Sequence, residues 1–108
     1  EYPFPSMAVC DPSCAGHRSG NCWGYYSQAL IALRCTRWMD DYGFGEDFDY
    51  ICRKWLEAWT RCFEDMKLGQ ELDPFTGEPS QCSEWYSSCM LFYLYAAQRL
   101  GIAERLLR

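Results

Sequence analysis

Residues 46–68 read EDFDYICRKWLEAWTRCFEDMKL, and this stretch decides the fold class. On a helix that turns by about 100° per residue, its apolar side chains fall in one stripe a little under half the circumference wide. The stripe contains Phe48, Ile51, Cys52, Trp55, Leu56, Ala58, Trp59, Cys62, Phe63 and Met66. The opposite face is polar, with charges of alternating sign at i, i+4 spacing. Because two cysteines and two tryptophans turn to the same side, the stretch predicts a helix packed in a bundle.

Composition indicates the class of protein. The chain has 108 residues, eight cysteines, 18% aromatic residues and a net charge of −5. That length suits one compact domain, residues 1–108, and an even number of cysteines in so short a chain is typical of secreted, disulfide-bonded proteins. No apolar run is long enough for a membrane span. The first residues lack the basic start and apolar middle of a signal peptide, so we expect Glu1 to begin a mature extracellular chain.

The order of elements follows from periodicity and from the positions of proline and glycine. Residues 1–21 have no helical or alternating period and predict an irregular arm. Helices are expected at about 22–41, 46–68 and 81–100, with a possible short helix at 102–107. The sequence therefore predicts an all-α fold, a disulfide-stabilised bundle of three to four helices with an irregular N-terminal arm.

Two further expectations concern the first helix and the segment before the third. The first helix is apolar around most of its circumference, which predicts a central helix buried on two sides. The stretch GQELDPFTGEPS, residues 69–80, contains Pro74, Gly77 and Pro79 and is expected to be a loop.

The cysteines are expected to form four disulfides between elements. They are Cys10, Cys14, Cys22, Cys35, Cys52, Cys62, Cys82 and Cys89. Two cysteines of one helix would lie roughly 10–20 Å apart at about 1.5 Å per residue, too far for a bridge. In an up-down-up bundle, Cys35 lies level with Cys52, and Cys62 lies level with Cys82. We favour these two pairs, and the sequence leaves the other four cysteines open.

Few residues suggest catalysis or metal binding. His17 is the single histidine, and no paired carboxylates, nucleophile elbow or phosphate-binding loop accompany it. Together with Cys10, Cys14 and Cys22 it could be counted as a zinc site, but the spacing matches no zinc pattern and disulfides account for all eight cysteines. The acidic residues around 40–49 lack the register of a calcium loop. We therefore expect no enzyme activity, no metal and no cofactor.

A binding surface is the better expectation. Asp40 and Asp41 lie at the carboxyl end of a helix, where the helix dipole disfavours negative charge. Tyr42 and Phe44 stand beside them in the turn. The third helix has more apolar surface than one core face needs, through residues that include Leu91, Leu94 and Tyr95. We hypothesise that these seven residues form the binding site.

The resulting function is a secreted cysteine-rich binding protein that acts outside the cell as an effector, a toxin-like protein or a signalling ligand. Its partner is expected to be a protein receptor or target with a cationic or apolar surface, since the negative charge argues against nucleic acid and anionic membranes. The first alternative is a carrier of a small apolar ligand or lipid, with tryptophans and tyrosines around an internal cavity. The second alternative is a secreted hydrolase that uses His17.

Overall fold

The computed structural model describes residues 5, 10–12, 25–64, 69, 71–80 and 87–106. These ranges contain the helices α1 (Ala29–Asp41), α2 (Gly45–Glu64), α3 (Ser87–Arg99) and α4 (Ile102–Leu106). They also contain three two-residue strands, β1 (Ser27–Gln28), β2 (Glu71–Leu72) and β3 (Pro79–Ser80). The described chain is mostly helical, which confirms the predicted class at that level. The all-α prediction is wrong in detail, because the strands form a small antiparallel sheet in the order β1-β2-β3.

The helix α2 forms the centre of the core. Phe48, Cys52, Trp55 and Trp59 are completely buried on its inner face. The two indoles stack with ring centroids 5.9 Å apart, and the Trp55 ring meets the edge of Phe92 from α3 at 5.4 Å. Burying each such side chain stabilises the fold by roughly 1.5–3 kcal/mol. Phe63, Met66 and the predicted continuation of this helix to residue 68 lie outside the described side chains.

The first helix differs from its prediction in length and in burial. Predicted to begin near Cys22, it begins at Ala29, because Ser27 and Gln28 are extended and pair with β2. Only one side of α1 is buried, and Trp38 is exposed. The prediction of a central helix buried on two sides is therefore wrong, and α2 and α3 take that position.

The segment expected to be a loop contains a β-hairpin. The Asp73 carboxylate accepts hydrogen bonds from the backbone N–H groups of Phe75 and Thr76 at 2.9 and 3.0 Å. The backbone of Asp73 also bonds to Gly77 and Glu78, and Gly77 has a φ of +72°, which glycine adopts without strain. An aspartate whose side chain caps the turn, followed by this glycine, brings β2 and β3 side by side.

A buried polar pair joins β1 to β2. The Gln28 side-chain amide donates a 2.8 Å hydrogen bond to Glu71 Oε1, and both side chains are buried. The second carboxyl oxygen of Glu71 has no hydrogen-bond partner among the described groups. Burial raises the pKa of the Glu71 carboxyl, so its neutral form is favoured in this environment.

Of the described cysteines, Cys35, Cys52, Cys62 and Cys89 are buried and Cys10 is exposed. No disulfide joins two of these five, so the predicted disulfide scaffold is not confirmed, and the bridge between Cys35 and Cys52 stays a prediction. Burial raises the pKa of the Cys52 thiol to about 12 and also raises that of Cys35. The remaining cysteines, Cys14, Cys22 and Cys82, lie outside the described residues, as does most of the predicted arm.

Pro5 is the one part of the arm whose pairing is described, and it forms a bridge with Ser27. At the other end of the chain, α4 lies within the range predicted for a short final helix. None of α1 to α4 combines the length and apolar character that crossing a bilayer requires.

Candidate functional site

The turn between α1 and α2 has a defined backbone geometry. The N–H of Phe44 donates to the carbonyl of Met39 at 2.7 Å, and the N–H of Gly43 donates to the carbonyl of Asp40 at 3.1 Å. Gly43 has a φ of +82°. These are the hydrogen bonds and the left-handed residue of a Schellman motif. The turn is therefore an ordered helix ending.

Three aromatic side chains are exposed at this turn. Tyr42 is 77% exposed, Phe44 47% and Trp38 44%. The rings of Trp38 and Phe44 meet edge to face with centroids 6.4 Å apart, which is the apolar contact that often accompanies a Schellman motif. Large aromatic groups held in the open by a rigid turn are the type of residue that dominates protein interfaces.

Three carboxylates stand next to these aromatic residues in the chain. Asp41, Glu46 and Asp47 are exposed, and none of them forms an ion pair with a described residue. We call the exposed aromatic and acidic residues at this turn the tip surface. It consists of Trp38, Asp41, Tyr42, Phe44, Glu46 and Asp47.

Asp40 has a different role from the one expected. Both of its carboxylate oxygens accept hydrogen bonds from the guanidinium of Arg99, at 2.7 Å each. The Arg99 Nε atom donates to Asp49 at 2.6 Å, and its Nη2 donates to the carbonyl of Gly45 at 3.3 Å. Arg99 thereby joins the end of α3 to the end of α1 and the start of α2. The cation that Asp40 needs comes from the chain itself and not from a partner.

The surroundings of Arg99 explain why this cluster is tightly packed. Its guanidinium lies over the Phe48 ring, 4.8 Å from the centroid, which adds a cation–π contact. A side chain at Gly45 would place its Cβ only 3.1 Å from an Asp40 oxygen, so glycine allows the close approach. The hydrogen bond from Arg99 lowers the pKa of Asp40 below its ordinary value. The three charged groups therefore hold the tip surface against the bundle while Asp40 stays ionised.

The predicted residues of α3 do not all join the tip surface. Leu91 and Leu94 are 58% and 60% exposed, as a contact surface requires. Tyr95 is half-buried and stacks on Phe92 with centroids 6.1 Å apart. On a helix, Leu91, Tyr95 and Arg99 share one line, whereas Leu94 points to a neighbouring side. Leu91 and Leu94 are therefore exposed residues of α3 that lie outside the tip surface, and Tyr95 packs against the core.

The sequence interpretation missed two residues of this site. A first helix buried on two sides would also bury Trp38, which is instead 44% exposed. Arg99 was given no role, although a basic residue in the last turn of a helix is a sign of carboxyl-terminal stabilisation. Its actual partners are 50 and 59 residues away in the chain, and no local pattern indicates them.

The other candidate sites are only partly described. His17, Cys14 and Cys22 lie outside the described residues, so the hydrolase and zinc alternatives have no described geometry. Within the described ranges, no group of three or more His, Cys, Asp or Glu side chains is placed to hold a metal ion. Trp55 and Trp59, which the carrier alternative placed around a cavity, stack on each other in the core instead.

Comparison with known proteins gives no relative. No protein-family model matches the chain, and neither the curated proteins nor the solved structures give a significant match.

Proposed function

We propose that this protein acts by binding another protein through the tip surface, as a secreted effector, toxin-like protein or signalling ligand. The observation that carries the proposal is the exposure of Tyr42, Phe44 and Trp38 on an ordered turn. Backbone hydrogen bonds order the turn, and the rings of Trp38 and Phe44 are in contact, so this segment loses less conformational entropy on binding, which favours affinity.

The partner is expected to present a basic surface around an apolar pocket. The tip surface contains three carboxylates that form no ion pair with a described residue, and Arg99 already neutralises Asp40. Unpaired acidic groups around an aromatic centre attract a basic surface and raise the association rate at low salt. Binding should therefore weaken as the ionic strength rises.

The experiment uses the full chain against an array of extracellular receptor domains. We expect Tyr42→Ala and Phe44→Ala together to weaken capture of the partner at least tenfold, because exposed aromatic anchors supply most of the energy of an interface. The thermal unfolding midpoint should stay within the experimental error. Tyr50→Ala is the matched control, since Tyr50 is 47% exposed on α2 and is not part of the tip surface.

Unchanged capture by the double variant would contradict the proposal. A fall in unfolding midpoint that accompanies the loss of capture would also contradict it, because the effect would then be on folding and not on contact. Equal affinity for the partner at low and high salt would show that the carboxylates do not contribute to binding through their charge.

Secretion and disulfide bonding form a separate part of the proposal, and the eight cysteines support them. We expect the native protein to weigh less than the fully reduced protein by eight hydrogens, one pair for each of four bridges. Intact mass before and after reduction and alkylation measures this difference directly. Eight thiols that react without prior reduction would contradict both the disulfide scaffold and the oxidising compartment.

A further inference from the structure

A groove lies between the outer side of α2 and the start of α4. Its volume is about 540 Å³, within the range of sites that bind small molecules. Among the residues that the structure describes, it is lined by Arg53, Leu56, Glu57, Thr60, Arg61 and Ile102. None of them belongs to the tip surface, so the groove is a separate feature of the molecule.

The groove has an apolar floor and charged ends. Leu56 is buried, and Ile102 is 38% exposed. Arg53 and Arg61 are eight residues apart on α2, which places them about 12 Å apart along the helix. An apolar surface beside the Arg53 guanidinium fits a ligand that is itself part apolar and part anionic.

The charge of the groove differs from that of the chain. The net charge of the chain is −5, yet the described residues that line the groove include two arginines beside one glutamate. That glutamate, Glu57, is already paired with Lys54 at 3.2 Å. Arg53 forms no ion pair with a described residue, although Glu57 is one helical turn away. Arg53 is therefore available to an anion.

We propose that this groove binds a soluble amphipathic carboxylate, with the carboxylate on Arg53 and the aliphatic chain over Leu56 and Ile102. A guanidinium can donate two parallel hydrogen bonds to one carboxylate, which fixes the orientation of the head group. The aliphatic chain leaves water as it covers the apolar floor. An inorganic anion would use Arg53 alone and leave that floor exposed, so the geometry favours the amphipathic ligand. This inference goes beyond the proposed function and does not depend on it.

The test is a titration of the full chain with decanoate below its micelle concentration, followed by calorimetry. We expect saturable binding that Arg53→Gln weakens at least tenfold. Arg34→Gln is the matched control, because Arg34 is an exposed arginine on α1 without an ion pair to a described residue. Decanol, which has the same chain without the charge, should bind at least tenfold more weakly than decanoate.

Ile102→Ser tests the apolar half of the groove and should also weaken decanoate binding. Should this variant fail to fold, Arg53→Gln still decides the question, because Arg53 is exposed. Absence of saturable binding, or equal binding by the wild type and Arg53→Gln, would overturn the proposal. Inorganic phosphate that displaces decanoate at equal concentration would also overturn it.

Two further measurements distinguish this proposal from membrane binding and from protein binding at the tip surface. Vesicles of phosphatidylcholine with phosphatidylglycerol should not capture the protein, and capture by them without decanoate binding would indicate a membrane surface and overturn the proposal. The double variant at Tyr42 and Phe44 should bind decanoate as the wild type does. The proposal for the tip surface and the proposal for the groove can therefore be contradicted independently of each other.

Discussion

The cluster around Arg99 and the Gln28–Glu71 pair both join distant segments of the chain, but they do so by different means. At the tip, an arginine neutralises Asp40 and Asp49, and both aspartates keep contact with solvent. At the sheet, an amide and a carboxyl group are buried together, and one carboxyl oxygen has no described partner. The first contact is held by charge. The second is a hydrogen bond in a buried environment, where burial raises the pKa of Glu71 and favours its neutral form.

The two contacts should respond to pH in opposite directions. Arg99 lowers the pKa of Asp40, so this contribution to stability is present above the ordinary aspartate pKa of about 4 and is lost as the pH falls below it. Burial raises the pKa of Glu71, so its contribution is present below the ordinary glutamate pKa of about 4 and is lost as the pH rises through the raised value. The Arg99 cluster therefore stabilises the fold at neutral pH, whereas the Gln28–Glu71 pair contributes most to stability at acid pH.

Arg99→Leu should give the largest change. At pH 7 we expect the free energy of unfolding to fall by about 2 kcal/mol, since several charge-assisted hydrogen bonds are lost and two aspartates are left without their cation. Solvent exposure of the aspartates keeps the loss below that of a fully buried pair. Urea denaturation at pH 7 and at pH 3 measures it. The difference between the wild type and the variant should narrow as the pH falls and Asp40 becomes protonated.

Lys54→Met is the matched control for that experiment. Lys54 and Glu57 form an ion pair at 3.2 Å on an exposed face of α2. Such a pair contributes less than about 0.5–1 kcal/mol. An equal loss in both variants, or a loss in Arg99→Leu that does not change between pH 7 and pH 3, would show that the cluster is an ordinary surface contact.

Glu71→Gln should give a smaller change of opposite sign. The amide oxygen of glutamine can still accept the hydrogen bond from Gln28, and no charge has to be buried. We expect the free energy of unfolding at pH 8 to rise by about 1 kcal/mol, the usual scale for one buried polar group. Thermal unfolding from pH 4 to pH 8 measures the difference, which should vanish at the acid end.

Destabilisation by Glu71→Gln at pH 8 would contradict this account, because it would mean that the ionised carboxylate has a favourable partner. Glu71→Leu sharpens the test, since it leaves the Gln28 amide without its acceptor. That variant should be less stable than Glu71→Gln at every pH.

The local pattern of α2 made it the most predictable element. Its apolar stripe from Phe48 to Trp59 is buried as expected, because a helix with one continuous apolar face gains most by covering that face. The exposure of Tyr42 and Phe44 at the turn after α1 was also expected from sequence. The small sheet was missed, although Asp73 and Gly77 occupy positions typical of a β-hairpin turn.

Other incorrect predictions could not have been avoided from the local sequence. Trp38 lies in an apolar helix and looks like a core residue, but α2 and α3 already fill the core, so it remains in the open. Gln28 looked like the interior of a helix and is instead held extended by its bond to Glu71, 43 residues further along. The exposure of Trp38 and the extended backbone of Gln28 both depend on contacts made by segments far away in the chain.

The sequence by itself determined that this chain is mostly helical, which face of α2 is buried, and where the helices α1 and α2 are separated by a turn. Those properties follow from the spacing of apolar residues and from glycine, which act over one or two helical turns. Only the tertiary structure decided that Asp40 is neutralised within the chain, that Trp38 is exposed, and that Arg53 and Ile102 share a groove. Such properties require segments far apart in sequence to meet, and local periodicity contains no information about which of them do.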